Sequence, residues 1–94
     1  MDNFNFLQKS PRELNLQIAQ RLRKIRKRKK ISQEQLSLHS GVSLGSIKRF
    51  ERSGDISLIS LSKIAMALDV VNALEDLFKD MPILTIEELI NEKH

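Results

Sequence analysis

The sequence contains no cysteine, tryptophan or tyrosine, and only three glycines and two prolines among its 94 residues. Without cysteine the chain has no disulfide, no iron–sulfur cluster and no thiolate zinc site. Its two histidines, His39 and His94, are too far apart in sequence to supply the usual set of metal ligands. We therefore expect neither a metal nor a cofactor.

Long apolar runs are also missing, because none approaches the roughly 20 residues that a membrane-spanning helix needs. The first ten residues lack the basic-then-apolar pattern of a signal peptide. These absences predict a cytoplasmic protein without a membrane partner. The length fits one small domain rather than a large catalytic fold, and 40% apolar with 30% charged residues is ordinary globular composition.

Charge is unevenly distributed along the chain. The net charge is +4, but residues 1–52 carry 13 Lys and Arg against 4 Asp and Glu, a balance of +9, whereas residues 53–94 carry 3 against 8, a balance of −5. A strongly basic half favours a polyanionic partner such as nucleic acid. The alternative is a helical domain whose charged surface is merely uneven.

Apolar spacing predicts helices throughout, without a strand pattern long enough to compete. The first helix begins at a capping box formed by Ser10, Pro11 and Glu13. We expect it to end near Lys30 and to bury one stripe, made of Leu14, Ile18, Leu22 and Ile25.

Two short helices follow, separated by a glycine turn. Ser32 and Gln35 form a second capping box, and Gly41 is expected to end that helix in a left-handed conformation. Ser43 caps the third helix. The residues predicted to be buried here are Leu36, Val42, Ile47 and Phe50.

Three further helices complete the prediction. Ser57 caps a fourth helix, Asn72 a short fifth helix, and Thr85 with Glu88 a last helix over residues 85–92. The predicted apolar faces are Leu58, Leu61, Ile64, Ala65 and Leu68 in the fourth, Leu74, Leu77 and Phe78 in the fifth, and Ile86, Leu89 and Ile90 in the last.

The chain is accordingly divided into an N-terminal arm, residues 1–9, a domain over residues 10–80 and a C-terminal tail over residues 81–94. The apolar residues Phe4, Phe6 and Leu7 of the arm pack either on the domain or across a dimer. The sequence leaves both of these alternatives open. It also leaves open whether the arm, the fifth helix or the tail forms the dimer contact.

Residues 32–51 read as a helix, a glycine turn and a second helix, which is the geometry of a DNA-reading helix-turn-helix. With its flanking helices, the stretch from residue 14 to 78 resembles the Cro/phage-repressor (XRE-type) family. Its characteristic positions are occupied by Gln33, Leu36, Gly41, Val42, Ile47 and Glu51. The resemblance implies an all-α fold, a compact five-helix lambda-repressor-like domain, usually dimeric on a two-fold symmetric double-stranded DNA operator.

The same resemblance implies roles for individual residues. Gln33 would contact a phosphate and brace the recognition helix, and Arg26 would pair with Glu51. The positions facing DNA base edges are Ser43, Leu44, Gly45, Ser46, Lys48 and Arg49. Arg49 is the best candidate base reader because its planar fork fits guanine O6 and N7. Candidate phosphate contacts are Arg52, Lys48 and the cluster over residues 26–30, from which Arg26 is set apart because of its implied pairing with Glu51.

Leu44 and Gly45 depart from the family pattern, which places hydrogen-bonding side chains at these positions. Either Leu44 lies against a thymine methyl group while Gly45 lets the backbone approach closely, or specificity comes more from DNA shape. A third alternative is that Leu44 is an exposed leucine without a role.

The chain shows no nucleophile–base set and no phosphate-binding loop, so we expect it not to be an enzyme. The leading hypothesis is a dimeric, operator-binding transcriptional repressor associated with the nucleoid. Within that class, Ser10, Pro11 and Leu14 and the single-domain length resemble HipB-type antitoxins, whose partner is a HipA-like kinase toxin. The alternative is a protein-interaction adaptor without specific DNA readout. RNA or membrane-surface binding is disfavoured because the four aromatic residues form no stacking platform and the basic first helix uses its apolar face for the core.

Overall fold

A computed structural model describes residues 9–80 and 85–92 of the chain. Its six α-helices are α1 (Pro11–Arg28), α2 (Gln33–Ser40), α3 (Leu44–Ser53), α4 (Leu58–Ala67), α5 (Val71–Glu75) and α6 (Ile86–Glu92). The described part of the chain contains no strand, so the all-α fold class is confirmed. The predicted arm residues Phe4, Phe6 and Leu7 lie outside the described ranges.

The first four helices begin where the sequence predicts, each at a serine. Ser10, Ser32, Ser43 and Ser57 accept hydrogen bonds on Oγ from the backbone N–H three residues later, at 3.0–3.2 Å. In α1 and α2 the bond is reciprocated, because Glu13 and Gln35 accept from the cap N–H at 2.9 and 2.8 Å. The backbone and side-chain hydrogen bonds to Ser10 hold the pKa of Glu13 below its ordinary value. Each helix start is therefore fixed by local hydrogen bonding.

The first helix ends at Arg28, two residues before the predicted end near Lys30. Lys30 lies in the left-handed region, with φ 59°. Its N–H donates to Lys27 O at 2.9 Å, and the Ile31 N–H donates to Arg26 O at 3.2 Å. These two hydrogen bonds form a Schellman motif, which turns the chain so that Ile31 packs against the core.

The core lies where α1 packs against α3, and α2 against α3 and α4. Its buried residues are Ala19, Leu36, Val42, Ile47, Phe50, Ile64, Ala65 and Leu68. The predictions for α2, the turn and α3 are confirmed in full. Ala19 is fully buried although the predicted stripe of α1 did not include it.

Helices α1 and α3 meet at a glycine. Gly54 ends α3 with φ 86°, and a Cβ built on it would lie 2.7 Å from both Asn15 C and Leu16 N. Since real Cβ atoms do not come this close to backbone, only glycine allows the two helices to approach at this point.

Four residues predicted to be buried are exposed instead: Leu14, Leu58, Leu77 and Phe78. Leu58 occupies the first position of α4, and the face formed by Leu61, Ile64, Ala65 and Leu68 is the one that turns inward. Phe78 follows the end of α5 with φ 60° and is 89% exposed. For these residues the apolar spacing was a wrong guide to burial.

The fifth helix starts earlier than predicted. Its N-cap is Val70, without a side-chain hydrogen bond, and Asn72 lies inside the helix. The cause is a second Schellman motif, since Asp69 has φ 62° and the Val70 N–H donates to Ala65 O at 2.9 Å. This turn brings Val70 against the core and leads the chain directly into α5.

In α6, Thr85 Oγ1 accepts from the Glu88 N–H at 3.1 Å. Its three large apolar side chains, Ile86, Leu89 and Ile90, are exposed. Within residues 9–80 and 85–92, every helix is too short or too polar to cross a membrane.

Candidate DNA-binding surface

The turn between α2 and α3 is held by four hydrogen bonds and one buried side chain. Gly41 has φ 76°, and its N–H donates to Ser37 O at 2.9 Å. Ser37 Oγ donates to Val42 O at 2.7 Å, and the Val42 N–H donates to Ser40 Oγ at 3.1 Å. Ser43, the next residue, caps α3. With the Val42 side chain buried, the angle between the two helices is set by local bonds and by the core together.

Helix α3 has an anchored face and a charged face. Ile47 and Phe50 are 0% and 2% exposed and hold the inner face to the core. Lys48, Arg49 and Arg52 are exposed on the outer face. The predicted base reader and two predicted phosphate contacts therefore lie together on the solvent side of a rigidly placed helix.

A carboxylate in the last turns of α3 joins three helices. Glu51 accepts two hydrogen bonds from the Arg26 guanidinium, Nε to Oε2 at 2.7 Å and Nη2 to Oε1 at 2.9 Å. Gln33 Nε2 donates to the same Oε1 at 2.9 Å, and Arg26 Nη1 donates to Ile31 O at 2.8 Å. The side chains of Arg26 and Glu51 are 8% and 6% exposed. The contact between Arg26 and Glu51 implied by the family resemblance is thus present.

Glu51 is ionised in this network. Burial raises the pKa of Glu51, but the hydrogen bonds from Arg26 and Gln33 and the charges of Arg26 and Arg23 outweigh it, so the pKa lies below its ordinary value of 4.5. Arg23 Nε lies 3.8 Å from Glu51 Oε1, with its side chain half exposed. Sequence reasoning missed Arg23 as a member of this group. The available signal was its spacing of three residues from Arg26, which places both on one side of α1.

The structure shows one of the two roles predicted for Gln33, which are bracing the recognition helix and contacting a phosphate. Its amide nitrogen donates to Glu51 of α3, so it braces the helix proposed to read DNA. Gln33 is also the first residue of α2, where free backbone N–H groups favour an anion. A phosphate contact at this position stays a prediction.

Arg26 is placed differently from the rest of its basic cluster. Its guanidinium is buried against Glu51 and Ile31, whereas residues 27–30 are exposed. We therefore exclude Arg26 from the candidate phosphate contacts and keep Lys27, Arg28, Lys29 and Lys30 as candidates.

The first turn of α3 has fewer free hydrogen-bonding groups than its sequence suggests. Ser43 Oγ donates to Ser46 Oγ at 2.8 Å in addition to its capping bond, so its proton is already engaged. Leu44 and Ser46 are half-buried, while Gly45 is exposed and a Cβ built on it would meet nothing within 4 Å. Gly45 is therefore not required by packing inside the protein, unlike Gly54.

The eight predicted contact residues all lie on α2, its turn or α3: Gln33, Ser43, Leu44, Gly45, Ser46, Lys48, Arg49 and Arg52. The fold presents an exposed cationic helix, held from behind by buried apolar contacts and by one ionic network. Such a surface matches the dimensions and charge of the DNA major groove, which admits one α-helix.

Comparison with known families identifies a helix-turn-helix family. A family described as Helix-turn-helix, of Cro/C1 type, matches residues 22–75, which is more than half of the chain. This family is a DNA-binding regulatory family rather than an enzyme family. No curated protein and no solved structure matches the chain.

Proposed function

The chain belongs to the Cro/C1-type (XRE) helix-turn-helix family and is a DNA-binding regulator; we propose that it is a repressor that acts as a dimer on an inverted-repeat operator. In this proposal α3 enters the major groove of double-stranded DNA at the nucleoid. The observation that carries it is the exposure of Lys48, Arg49 and Arg52 on a helix whose opposite face is fixed by Ile47, Phe50 and Glu51.

Arg49 is proposed as the base reader. It is exposed on α3, one turn beyond the helix start, and a guanidinium can donate two parallel hydrogen bonds to guanine O6 and N7. Such a contact contributes roughly 1–3 kcal/mol of discrimination against other bases. Lys48 and Arg52 contact phosphates on either side and position the helix without reading sequence.

Gln33 and the first turn of α3 supply the remaining contacts. Gln33 Nε2 donates one proton to Glu51, and in this proposal its second amide proton donates to a phosphate at the start of α2. Ser46 Oγ accepts from Ser43, and its own proton remains available for a base or phosphate oxygen. Leu44 contacts a thymine methyl group, and Gly45 allows the α3 backbone to approach the duplex.

A dimer reads both halves of the operator. Two α3 helices related by a two-fold axis bind half-sites about one helical turn, roughly 34 Å, apart. Operator binding then falls steeply with salt, because each neutralised phosphate releases a condensed cation.

The test is a selection of bound genomic fragments with the purified protein at near-physiological salt, repeated with Arg49→Ala. We expect one inverted repeat to be enriched and the substitution to relax the preference at one base pair per half-site. The matched control is Arg28→Ala, which removes the same charge from α1 and lowers affinity without changing the preferred sequence. Enrichment of no fragment over bulk DNA would contradict the proposal and favour the adaptor function, in which α2 and α3 dock a protein.

A narrower version of this function is an antitoxin of the HipB type that represses its own operon. It is supported by Ser10, Pro11 and Leu14 at the start of α1, which resemble the start of those proteins. The test is co-purification with the product of a neighbouring kinase-like gene. If no such gene lies beside the enriched operator, the antitoxin role is wrong and the repressor role remains.

A further inference from the structure

Helix α1 carries an open groove on its surface, the α1 groove. It is lined by two amides and four cations, which are Gln17, Gln20, Arg21, Arg23, Lys24 and Lys27. No Asp or Glu occurs between residues 14 and 33, so the helix supplies no negative charge of its own along this stretch. The groove is therefore strongly positive, and its two amides add neutral hydrogen-bond donors to the charged ones.

Only part of the charge on α1 is used inside the domain. Arg26 is buried against Glu51, and Arg23 Nε lies 3.8 Å from the same carboxylate. Arg21 and Lys24 are exposed, and in the part of the chain that the structure describes neither forms an ion pair. These two cations are placed to meet a negative partner from outside the domain.

The α1 groove faces away from the helix proposed to read DNA. Helix α1 packs against α3, and its buried residues are Ala19 and Arg26, the second of which is bonded to α3. Gln17 and Arg21 are each two residues from Ala19, and Lys24 is two residues from Arg26. Two residues correspond to about 200° around an α-helix, so these three side chains lie on the opposite side of α1. A duplex bound to α3 lies on the other side of the domain from them.

The exposed cations form a row that suits a phosphate backbone. Arg21, Lys24 and Lys27 are three residues apart, so they follow one another at about 4.5 Å along the helix. Phosphates of B-DNA recur about every 3.4 Å along each strand, so the row can meet several of them at once. A backbone contact of this kind is electrostatic and independent of sequence.

Other polyanions fit this face less well. Residues 11–28 contain no aromatic side chain on which the bases of a single strand could stack. The apolar side of α1 packs in the core, which leaves no apolar side chains to insert into a lipid surface. A double helix, which presents phosphates and needs neither feature, is the partner that this composition favours.

We propose that the α1 groove is a second DNA-binding surface, which holds the backbone of a double-stranded segment other than the one bound by α3. This inference rests on the proposed function for the first segment and adds the second. DNA is the expected partner because a chain bound through α3 is surrounded by neighbouring duplex at high effective concentration. One bound chain then joins two segments of DNA.

The first test is a capture experiment with two duplexes and the full chain. The duplex enriched in the genomic selection is fixed to beads, the protein is bound to it, and a labelled duplex of unrelated sequence is added at near-physiological salt. We expect the unmodified protein to retain the labelled duplex. Arg21→Ala with Lys24→Ala should bind the fixed duplex as before and retain the labelled one at least about tenfold less. Lys27 is left unchanged because it is also a candidate contact to the first duplex.

The matched control is Arg12→Ala with Lys63→Ala, which removes two cations at exposed positions outside the groove. It should retain the labelled duplex like the unmodified protein. All four positions are exposed and helical, so alanine should leave thermal unfolding nearly unchanged. Equal losses in the two double variants would show that net charge holds the second duplex, and would overturn the proposal. Failure of the unmodified protein to retain it would do the same.

The salt dependence of retention counts the phosphates in the second contact. Each phosphate contact contributes about 0.9 to the slope of log affinity against log salt concentration. The slope for the labelled duplex should therefore be about 2 smaller for Arg21→Ala with Lys24→Ala, and unchanged for the control pair. An unchanged slope in the groove variant would overturn the assignment of these two residues to the contact.

Competition identifies the kind of polyanion. An unlabelled DNA duplex, an RNA duplex of the same length and vesicles containing an anionic lipid are each added to the captured complex. We expect the DNA duplex to displace the labelled one at least as well as the other two. Preferential displacement by RNA or by vesicles would overturn the choice of DNA as the partner.

The number of duplexes bound distinguishes failure of this inference from failure of the proposed function. Titration with a short duplex of unrelated sequence at low salt should show a binding event that Arg21→Ala with Lys24→Ala removes and Arg49→Ala leaves. That event without any preferred duplex in the genomic selection would refute the repressor function alone. A preferred inverted repeat without retention of a second duplex would refute the second surface alone.

Discussion

The guanidinium of Arg26 and the carboxylate of Glu51 form a two-bond ion pair, 2.7 and 2.9 Å long, between residues 25 apart in the sequence. The pair joins the basic end of α1 to the helix proposed to read DNA. Both side chains are almost fully buried, so each depends on the other for neutralisation. The orientation of α3 is therefore tied to α1 by an ionic contact as well as by apolar packing.

Removal of one partner should be more damaging than removal of both. Arg26→Met leaves the Glu51 carboxylate buried with Gln33 as its remaining close partner, and we expect a loss of about 3–5 kcal/mol in the free energy of unfolding. The double variant Arg26→Met with Glu51→Leu should recover most of this loss. Urea denaturation of the two single variants and the double variant measures the coupling.

Arg23 provides the control for that experiment. Its Nε lies 3.8 Å from Glu51 and its side chain is half exposed, so Arg23→Met should cost under about 1 kcal/mol. Equal losses for Arg23→Met and Arg26→Met would show that general charge, not the buried pair, stabilises the domain.

Acid should weaken the contribution of Glu51. Because the pKa of Glu51 is lowered on folding, its stabilising effect is fully present above its ordinary pKa of 4.5 and is lost as the pH falls through the lower folded value. We expect the stability difference between the unmodified protein and Glu51→Gln to shrink from about pH 7 to about pH 3. A difference that stays constant over this range would mean that Glu51 does not titrate with folding.

The two left-handed glycines should respond differently to substitution. Gly41→Ala places a Cβ in open space and should cost about 1 kcal/mol, which is the strain of the left-handed backbone. Gly54→Ala carries the same strain and in addition forces α1 away from α3, a further cost of roughly 1–3 kcal/mol. Thermal unfolding of both variants compares them directly, and similar melting temperatures would contradict the close approach of the two helices.

Gly45→Ala should have opposite effects on stability and on binding. Alanine fits the open space at this helical position and should raise the free energy of unfolding by up to about 1 kcal/mol. If the α3 backbone lies close to the duplex, the added methyl group weakens operator binding. The two quantities are measured by thermal unfolding and by titration with the selected duplex, and unchanged binding would remove Gly45 from the contact surface.

Helix starts were the most predictable part of the fold. Each of the four serine caps acts on a backbone N–H three residues away, so the signal lies inside a four-residue window. The end of α1 and the start of α5 were less predictable because Lys30 and Asp69 adopt left-handed turns that glycine usually marks. The α2 and α3 core was predictable since Gly41, Ile47 and Phe50 combine turn chemistry with helical spacing.

The exposure of Leu14 and Leu58 was not predictable from spacing. Each lies at the start of a helix, where apolar periodicity does not say whether another helix extends far enough to cover it. The contact residues on α3 follow from family resemblance, but the sequence does not show that Ser43 and Ser46 bond to each other. That pairing depends on the rotamers of the folded chain.

At the turn after α1, a lysine occupies a backbone conformation that glycine would adopt with less strain. Gly41 and Gly54 occupy left-handed positions without strain, whereas the same conformation at Lys30 costs roughly 1–2 kcal/mol relative to glycine. Lys30 is exposed and completes the row of cations over residues 27–30. At this position the chain therefore has one more exposed positive charge in place of a more stable turn.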